Sequence, residues 1–206
     1  MKIVLASRNP KKAEELQRMA DRYFRRNLTV ICLDDVPEAE GMEQAEENGS
    51  SFLENAEIKA RYWAEKLQMP ALAEDSGIEI EALNGAPGVY TKRAIAEFCP
   101  NEDVDIDKPS ELYPRLLKLM EESGNPSKKA SWVSAMFLAL PNKKKNIVAQ
   151  NCIDGEMCEC AGEREFGFDQ YFRPDGYSQT LSEMEPEEKD AIGPRLKSFK
   201  YILRQI

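Results

Sequence analysis

Four short stretches of the chain gather residue types that handle phosphate and flat rings. The first is Ser7-Arg8-Asn9-Pro10-Lys11-Lys12, directly after the apolar run Lys2–Ala6. Such a run reads as a buried strand, and the segment after it as a helix opening. Backbone amides at a helix N-terminus attract anions. The hydroxyl of Ser7, the amide of Asn9 and the ammonium of Lys12 add donors to them. The same residues also suit an ordinary cap and turn. The second stretch is a carboxylate set, Glu47 and Asp75, with Glu74 beside Asp75. Two carboxylates and phosphate oxygens make a Mg²⁺ site, and a carboxylate also orients or deprotonates water. A solvated acidic turn is the plainer alternative in a chain with 37 Asp and Glu.

The third stretch is Phe166-Gly167-Phe168-Asp169. Glycine between two aromatics lets a flat ring approach, and an exposed Phe can stack on a base. Asp169 can accept hydrogen bonds from ring nitrogens. Two core aromatics flanking a bulge would give the same sequence. The fourth is the pair Lys189 and Arg195 near the end. A cation in the first turn of a helix opposes the helix dipole unless an anion compensates, which singles out Arg195.

The elements that position these groups are set by periodicity. Ala13, Leu16, Met19, Ala20 and Tyr23 form one stripe of a helix after the first strand, and Leu28–Leu33 reads as a second strand. Asp34 to Gly49 is acidic and aperiodic, hence loop. Ser51 and Glu54 form a capping box for a helix with Phe52, Ala56, Ala60, Trp63 and Leu67 inward. Asn55 and Lys59 fall at the edge of that stripe. Lys59 therefore points into a cleft or snorkels from the core edge. Ala71–Ala73, Glu74–Gly77 and Ile78–Leu83 read as strand, turn and strand, with Asp75 displayed in the turn. A helix at Ser110–Glu121, a strand at Trp132–Leu140, a Lys-rich turn at 143–145 and a strand at Ile147–Asp154 come next. Pro186–Ile192 reads as a helix, broken by Gly193-Pro194, and a last helix turns Phe199, Ile202 and Leu203 inward. Strands interleaved with helices predict an α/β domain with a mixed sheet.

Composition removes whole classes of chemistry. The 206 residues include no histidine. Ser-His-Asp and Cys-His nucleophile pairs, His-ligated zinc and imidazole acid–base work are excluded. The net charge of −9 argues against a nucleic-acid or membrane-surface footprint. Of the five cysteines Cys32, Cys99, Cys152, Cys158 and Cys160, the last three suggest zinc, but C-x-C lacks the usual C-x2-C spacing. They read as strand thiols, reduced in a cytoplasmic protein. The N-terminus does not read as a signal peptide, and no apolar stretch reaches the roughly 20 residues that span a bilayer.

Taken in order, the stretches SRNPKK (7–12), EENGSSFLENAEIKA (46–60), EDSGIEIEALNGAPGVYTKR (74–93), FGFDQYFRPDGY (166–177) and EMEPEEKDAIGPR (183–195) resemble the inosine triphosphate pyrophosphatase family. These are hydrolases of non-standard purine nucleoside triphosphates, and the resemblance spans nearly the whole chain. It implies one domain over 1–206, an elongated mixed α/β sheet with flanking helices and two lobes around a central cleft. A cytoplasmic homodimer is also implied. The implied reaction cleaves ITP, dITP or XTP to the monophosphate and pyrophosphate with Mg²⁺. By this resemblance Ser7, Asn9 and Lys12 hold the triphosphate, Lys59 and Lys92 add charge along it, and Asp75 is the catalytic acid with Ser76 beside it. Glu47 and Asp75 are the metal pair, with Glu38 of Pro37-Glu38 as a second candidate. Phe166, with Gly167 and Phe168, meets the base, Asp169 contacts it, and Lys189 and Arg195 close over its edge.

The chain departs from the family at one informative place. Gly193-Pro194-Arg195 stands where the family motif reads Ser-His-Arg, and Gln170 replaces a usual proline. Proline is a good first helical residue, so the bend is expected to persist while an imidazole is lost beside the base pocket. This opens two other readings: the same hydrolysis with altered base choice, or a catalytically weak nucleotide-binding protein.

Overall fold

The computed structural model describes residues 1–24, 28–90, 109–141, 146–164 and 167–206. In chain order the elements are β1 (Lys2–Leu5), α1 (Pro10–Tyr23), β2 (Thr29–Ile31), α2 (Phe52–Leu67), β3 (Ala71–Ile80) and α3 (Pro109–Glu122). They continue with β4 (Lys129–Ala139), β5 (Ile147–Met157), β6 (Phe172–Pro174), α4 (Pro186–Ile192) and α5 (Pro194–Arg204). The strand order is β2-β1-β3-β4-β5-β6. β1 runs parallel to β2 and β3, and β5 runs antiparallel to β6. The sheet is therefore mixed, as the sequence predicts.

The chain divides into two compact units, neither continuous in sequence. One comprises Met1–Asp75, Ser134–Asn151 and Pro194–Ile206, the other Ser76–Val133 and Cys152–Gly193. In the first unit, strand alternation sorts side chains onto two faces. Ile3, Leu5, Leu72, Met136 and Leu138 pack with Leu16 and Met19 of α1 and Phe199 and Ile202 of α5. Val4, Ala71, Ala73, Phe137 and Ala139 pack with Ala56, Ala60 and Trp63 of α2. Both faces are covered, which is why β1 reads as an unbroken apolar run. Trp63 and Phe199 are fully buried. Each contributes roughly 2–3 kcal/mol of burial toward docking its helix. The second unit has its own core, with Ile78, Ile80, Leu116, Trp132, Phe168, Tyr171 and Phe172.

One expected break is absent. Glu74-Asp75-Ser76-Gly77 is no turn, because β3 runs unbroken from Ala71 to Ile80. The strand has neighbours on both sides in the sheet order, and ladder hydrogen bonding outweighs the turn preference of Asp-Ser-Gly. The second half of the predicted strand Ile78–Leu83 ends as a 3-10 turn at Glu81–Leu83. The Lys-rich turn at 143–145 lies outside the described residues.

Candidate active site

The unbroken β3 decides what Glu74 and Asp75 do. Neighbouring residues on a strand face opposite ways. Asp75 shares the face of Ala71 and Ala73, toward α2; Glu74 shares the face of Leu72, toward α1 and α5. The two carboxylates are thus not one set, and Glu74 does not join Asp75 and Glu47.

α2 begins as predicted, with Ser51 at its cap accepting from the Glu54 amide at 3.2 Å. Glu54 does not complete the reciprocal bond to its cap; its Oε2 accepts from the Ser50 amide and hydroxyl, each at 2.7 Å. Four residues separate Asn55 from Lys59, so they share one helix face. Lys59 Nζ donates to Glu47 Oε2 at 2.9 Å and to Asp75 Oδ1 at 3.0 Å. Asn55 Nδ2 donates to Asp75 Oδ2 at 3.3 Å, while its Oδ1 accepts from the Gly49 amide at 2.8 Å. A Cβ at Gly49 would lie 2.7 Å from that oxygen, so the loop bearing Glu47 can approach α2 only through a glycine. Glu38 makes no contact of this kind among the described residues.

Burial disfavours the Lys59 ammonium, but the charges of Asp75 and Glu47 outweigh it and hold its pKa above the ordinary lysine value. Lys59 is therefore a fixed cation, not a base. Burial pushes the Asp75 carboxyl above its ordinary value despite Lys59, and Glu47 adds to the rise. A carboxylate that holds protons more readily is suited to accept one.

At the start of α1, Asn9 caps the helix by accepting from the Lys11 amide at 3.0 Å, and Ser7 Oγ accepts from the Asn9 amide at 3.1 Å. The first turn contains no acid and carries Lys11 and Lys12 instead. Cations there oppose the helix dipole, and an anion bound at this end would relieve the conflict. Lys12 Nζ lies 3.3 Å from Glu74 Oε2. Its charge also lowers the pKa of Asp75.

Arg195 is not where the resemblance implies. Its side chain is 2% exposed. Nε donates to Glu74 Oε1 at 2.7 Å, and Nη1 pairs with Glu15 of α1. Two core carboxylates hold the guanidinium. Pro194 opens α5 as predicted and is buried. Burial raises the pKa of Glu74, but Arg195 and Lys12 outweigh it and hold the group at about 2.

In the second unit Lys189 pairs with Asp169, and its ammonium lies 5.8 Å from the Trp132 ring centroid. Both members are nearly buried. Gly167 sits at φ +58, the left-handed region that favours glycine. Phe168 is a core residue rather than an exposed platform. It is 8% exposed and meets Tyr113, Trp132 and Phe172 edge to face. Ser76 is half-buried on β3. Lys92, Phe166 and Cys99 lie outside the described residues. Among those described, Cys32, Cys152, Cys158 and Cys160 are free thiols, and no group of three His, Cys, Asp or Glu could hold a metal.

The glycine in the departing motif has a steric reason. A Cβ at Gly193 would lie 3.1 Å from the Trp132 ring and 3.1 Å from the Lys189 carbonyl oxygen. Gly193→Ser, which restores the family residue, requires the Trp132 ring to give by a few tenths of an ångström and is expected to lower the urea midpoint only slightly, by about 1 kcal/mol or less.

These features define a mixed-sheet α/β protein in which lysines of two helices pair with carboxylates. A model of the Ham1 family matches residues 3–205, and the chain belongs to that family. It is 34% identical to a protein of Aquifex aeolicus named dITP/XTP pyrophosphatase, over 98% of this chain and 95% of that one. A protein of Haemophilus influenzae with the same name is 37% identical, over 98% and 96%. Among solved structures, a HAM1 protein from Coxiella burnetii superposes with TM-score 0.81 at 30% identity, covering all of both chains.

Proposed function

We propose that this chain hydrolyses dITP, ITP and XTP to the monophosphate and pyrophosphate, clearing them from the nucleotide pool. The observation that carries the reading is Lys59, held between Glu47 and Asp75 at 2.9 and 3.0 Å. Relatives that carry the name dITP/XTP pyrophosphatase over nearly the whole chain give the substrate class.

Two carboxylates converging on one cation fit Mg²⁺, which takes one or two protein carboxylates and completes its shell with water and phosphate oxygens. Glu47 and Asp75 would hold it, and when bound it neutralises charge on the phosphate chain. Lys12 and Lys59 add fixed positive charge along that chain, with Lys92 as a further cation. Ser7, Asn9 and the amides opening α1 bind its oxygens. Asp75 accepts the proton of the water that attacks the α-phosphorus, and pyrophosphate leaves. The resemblance also implies a substrate contact for Ser76, although strand alternation turns it to the face opposite Asp75. Phe166, Gly167, Asp169 and Lys189 meet the base. The protein works as a cytoplasmic homodimer; among the described residues, no helix is long and apolar enough to cross a membrane.

The test is product analysis by ³¹P NMR with dITP and Mg²⁺. Equal dIMP and pyrophosphate are expected, with turnover lost in EDTA and restored by Mg²⁺. Orthophosphate as the first product overturns the reading.

Pro194, in the place of the family's imidazole, supports a second reading with altered base choice. A hydrogen-bonding group in such a site can carry large selectivity. A panel of ITP, XTP, dUTP, TTP and GTP compared by kcat/KM decides it. A strong preference for ITP and XTP retains the first reading, and an ITP-to-GTP ratio near unity establishes the second.

A further inference from the structure

Four buried or half-buried charges meet on the α1 face of β3. Lys12 and Glu15 lie one turn apart on α1, Glu74 is on β3, and Arg195 is on α5. Two cations offset two anions. Glu74 is the member that divides its contacts. Its Oε1 accepts from Arg195 Nε at 2.7 Å and from Ser134 Oγ at 2.9 Å. Its Oε2 lies 3.3 Å from Lys12 Nζ. The Glu74 side chain is 1% exposed, whereas that of Lys12 is 23% exposed. Two donors on one oxygen fix the plane of the carboxylate, and that plane fixes where the other oxygen sits. The Lys12 contact is an ion pair that makes no hydrogen bond to Oε2, so charge rather than a directed bond holds the ammonium there.

We propose that Glu74 is a positioning residue: anchored through Oε1 by Arg195 and Ser134, it holds the Lys12 ammonium for the phosphate chain through Oε2. This rests on the reading that Lys12 binds that chain. It gives Arg195 a role through two contacts, Arg195 to Glu74 and Glu74 to Lys12, rather than against a base. Without Glu74, the flexible four-carbon stem of Lys12 would sample many rotamers, and the binding of phosphate would have to order it.

The test is a double-mutant cycle read by calorimetry with inorganic triphosphate and by kinetics with dITP. Glu74→Gln keeps the shape and removes the charge that holds Lys12. It is expected to weaken triphosphate binding about tenfold and to raise KM more than it lowers kcat. Lys12→Ala is expected to weaken binding at least as much. In the double variant the Glu74 change adds no further loss, because it acts through Lys12. Glu74→Asp, which restores the charge, is expected to recover part of the affinity. Ser134→Ala loosens the anchored oxygen without changing charge and is expected to raise KM about threefold with Tm nearly unchanged, so the proposal stays testable if Glu74→Gln folds poorly. Wild-type affinity in Glu74→Gln, wild-type KM in Ser134→Ala, or losses that multiply in the double variant overturn the positioning role alone. Wild-type affinity in Lys12→Ala overturns the phosphate reading of Lys12 itself.

Discussion

Asp75→Asn is expected to lower kcat for dITP by about 10²–10⁴-fold, the usual range for loss of a positioned proton acceptor. The substitution keeps shape and volume, but only one of the two donors, Asn55 Nδ2 and Lys59 Nζ, then meets an oxygen, and the other faces the new NH2 group. In the proposed mechanism it removes both the proton acceptor and one of the two carboxylates that would hold Mg²⁺. Stability is expected to change little. Burial raises the pKa of Asp75, so the folded protein holds its proton more tightly than the unfolded chain does. At pH well above that value the ionised carboxylate costs stability. Asparagine relieves that cost, but it also leaves the buried Lys59 ammonium with Glu47 as its remaining carboxylate partner, so the two effects oppose each other. Calorimetry should therefore show Tm close to wild type at pH 7, with turnover nearly gone. Turnover within about tenfold of wild type would overturn the catalytic assignment.

Arg195→Met is expected to be the most destabilising of these substitutions. It leaves Glu15 and Glu74 buried without their shared cation, and breaking such a buried set typically costs about 3–5 kcal/mol. For a chain of this length the fall in Tm is on the order of 10 °C. If Arg195 instead met a base at the surface, Met would cost little stability and mainly raise KM. The two outcomes separate cleanly in one melting curve. The acid limb tests the same network. Glu74 is held at about 2, against an ordinary value of 4.5. Its ionised form therefore contributes stability at pH above about 4.5, on the order of 3 kcal/mol, which is lost as pH falls toward about 2. Removing Arg195 takes away the largest charge that keeps Glu74 ionised. Stability in the variant should then begin to fall at a higher pH than in wild type, as measured by urea midpoints from pH 3 to 7.

Much of the framework is legible in local sequence. The stripe from Ala13 to Tyr23, the Ser51 cap and Pro186 each mark a helix start or face by local chemistry, and the helices sit where those signals place them. The edge-of-stripe position of Asn55 and Lys59 points to a face shared between core and site, which is where both residues meet Asp75. Three features are not legible in this way. The strand through Glu74–Gly77 is hidden because Asp-Ser-Gly has turn preference, and only neighbours on both sides override it. Glu15 carries no signal at all: an acid among helix acids becomes a core residue only when Arg195 arrives opposite it from 180 residues away. Phe168 and Arg195 look like ligand groups because aromatics and cations serve cores and sites alike.

The absence of histidine is settled by sequence alone, and with it the exclusion of imidazole chemistry, since composition needs no coordinates. Family membership is likewise written in the ordered motifs. What only the tertiary structure decided is the division of labour between adjacent acids. Strand alternation turns Asp75 toward Lys59 and Glu74 toward Arg195, and which face meets which helix is set by packing between segments distant in the chain. Local sequence cannot encode that choice residue by residue. It emerges from the burial of Trp63 on one face of the sheet and Phe199 on the other.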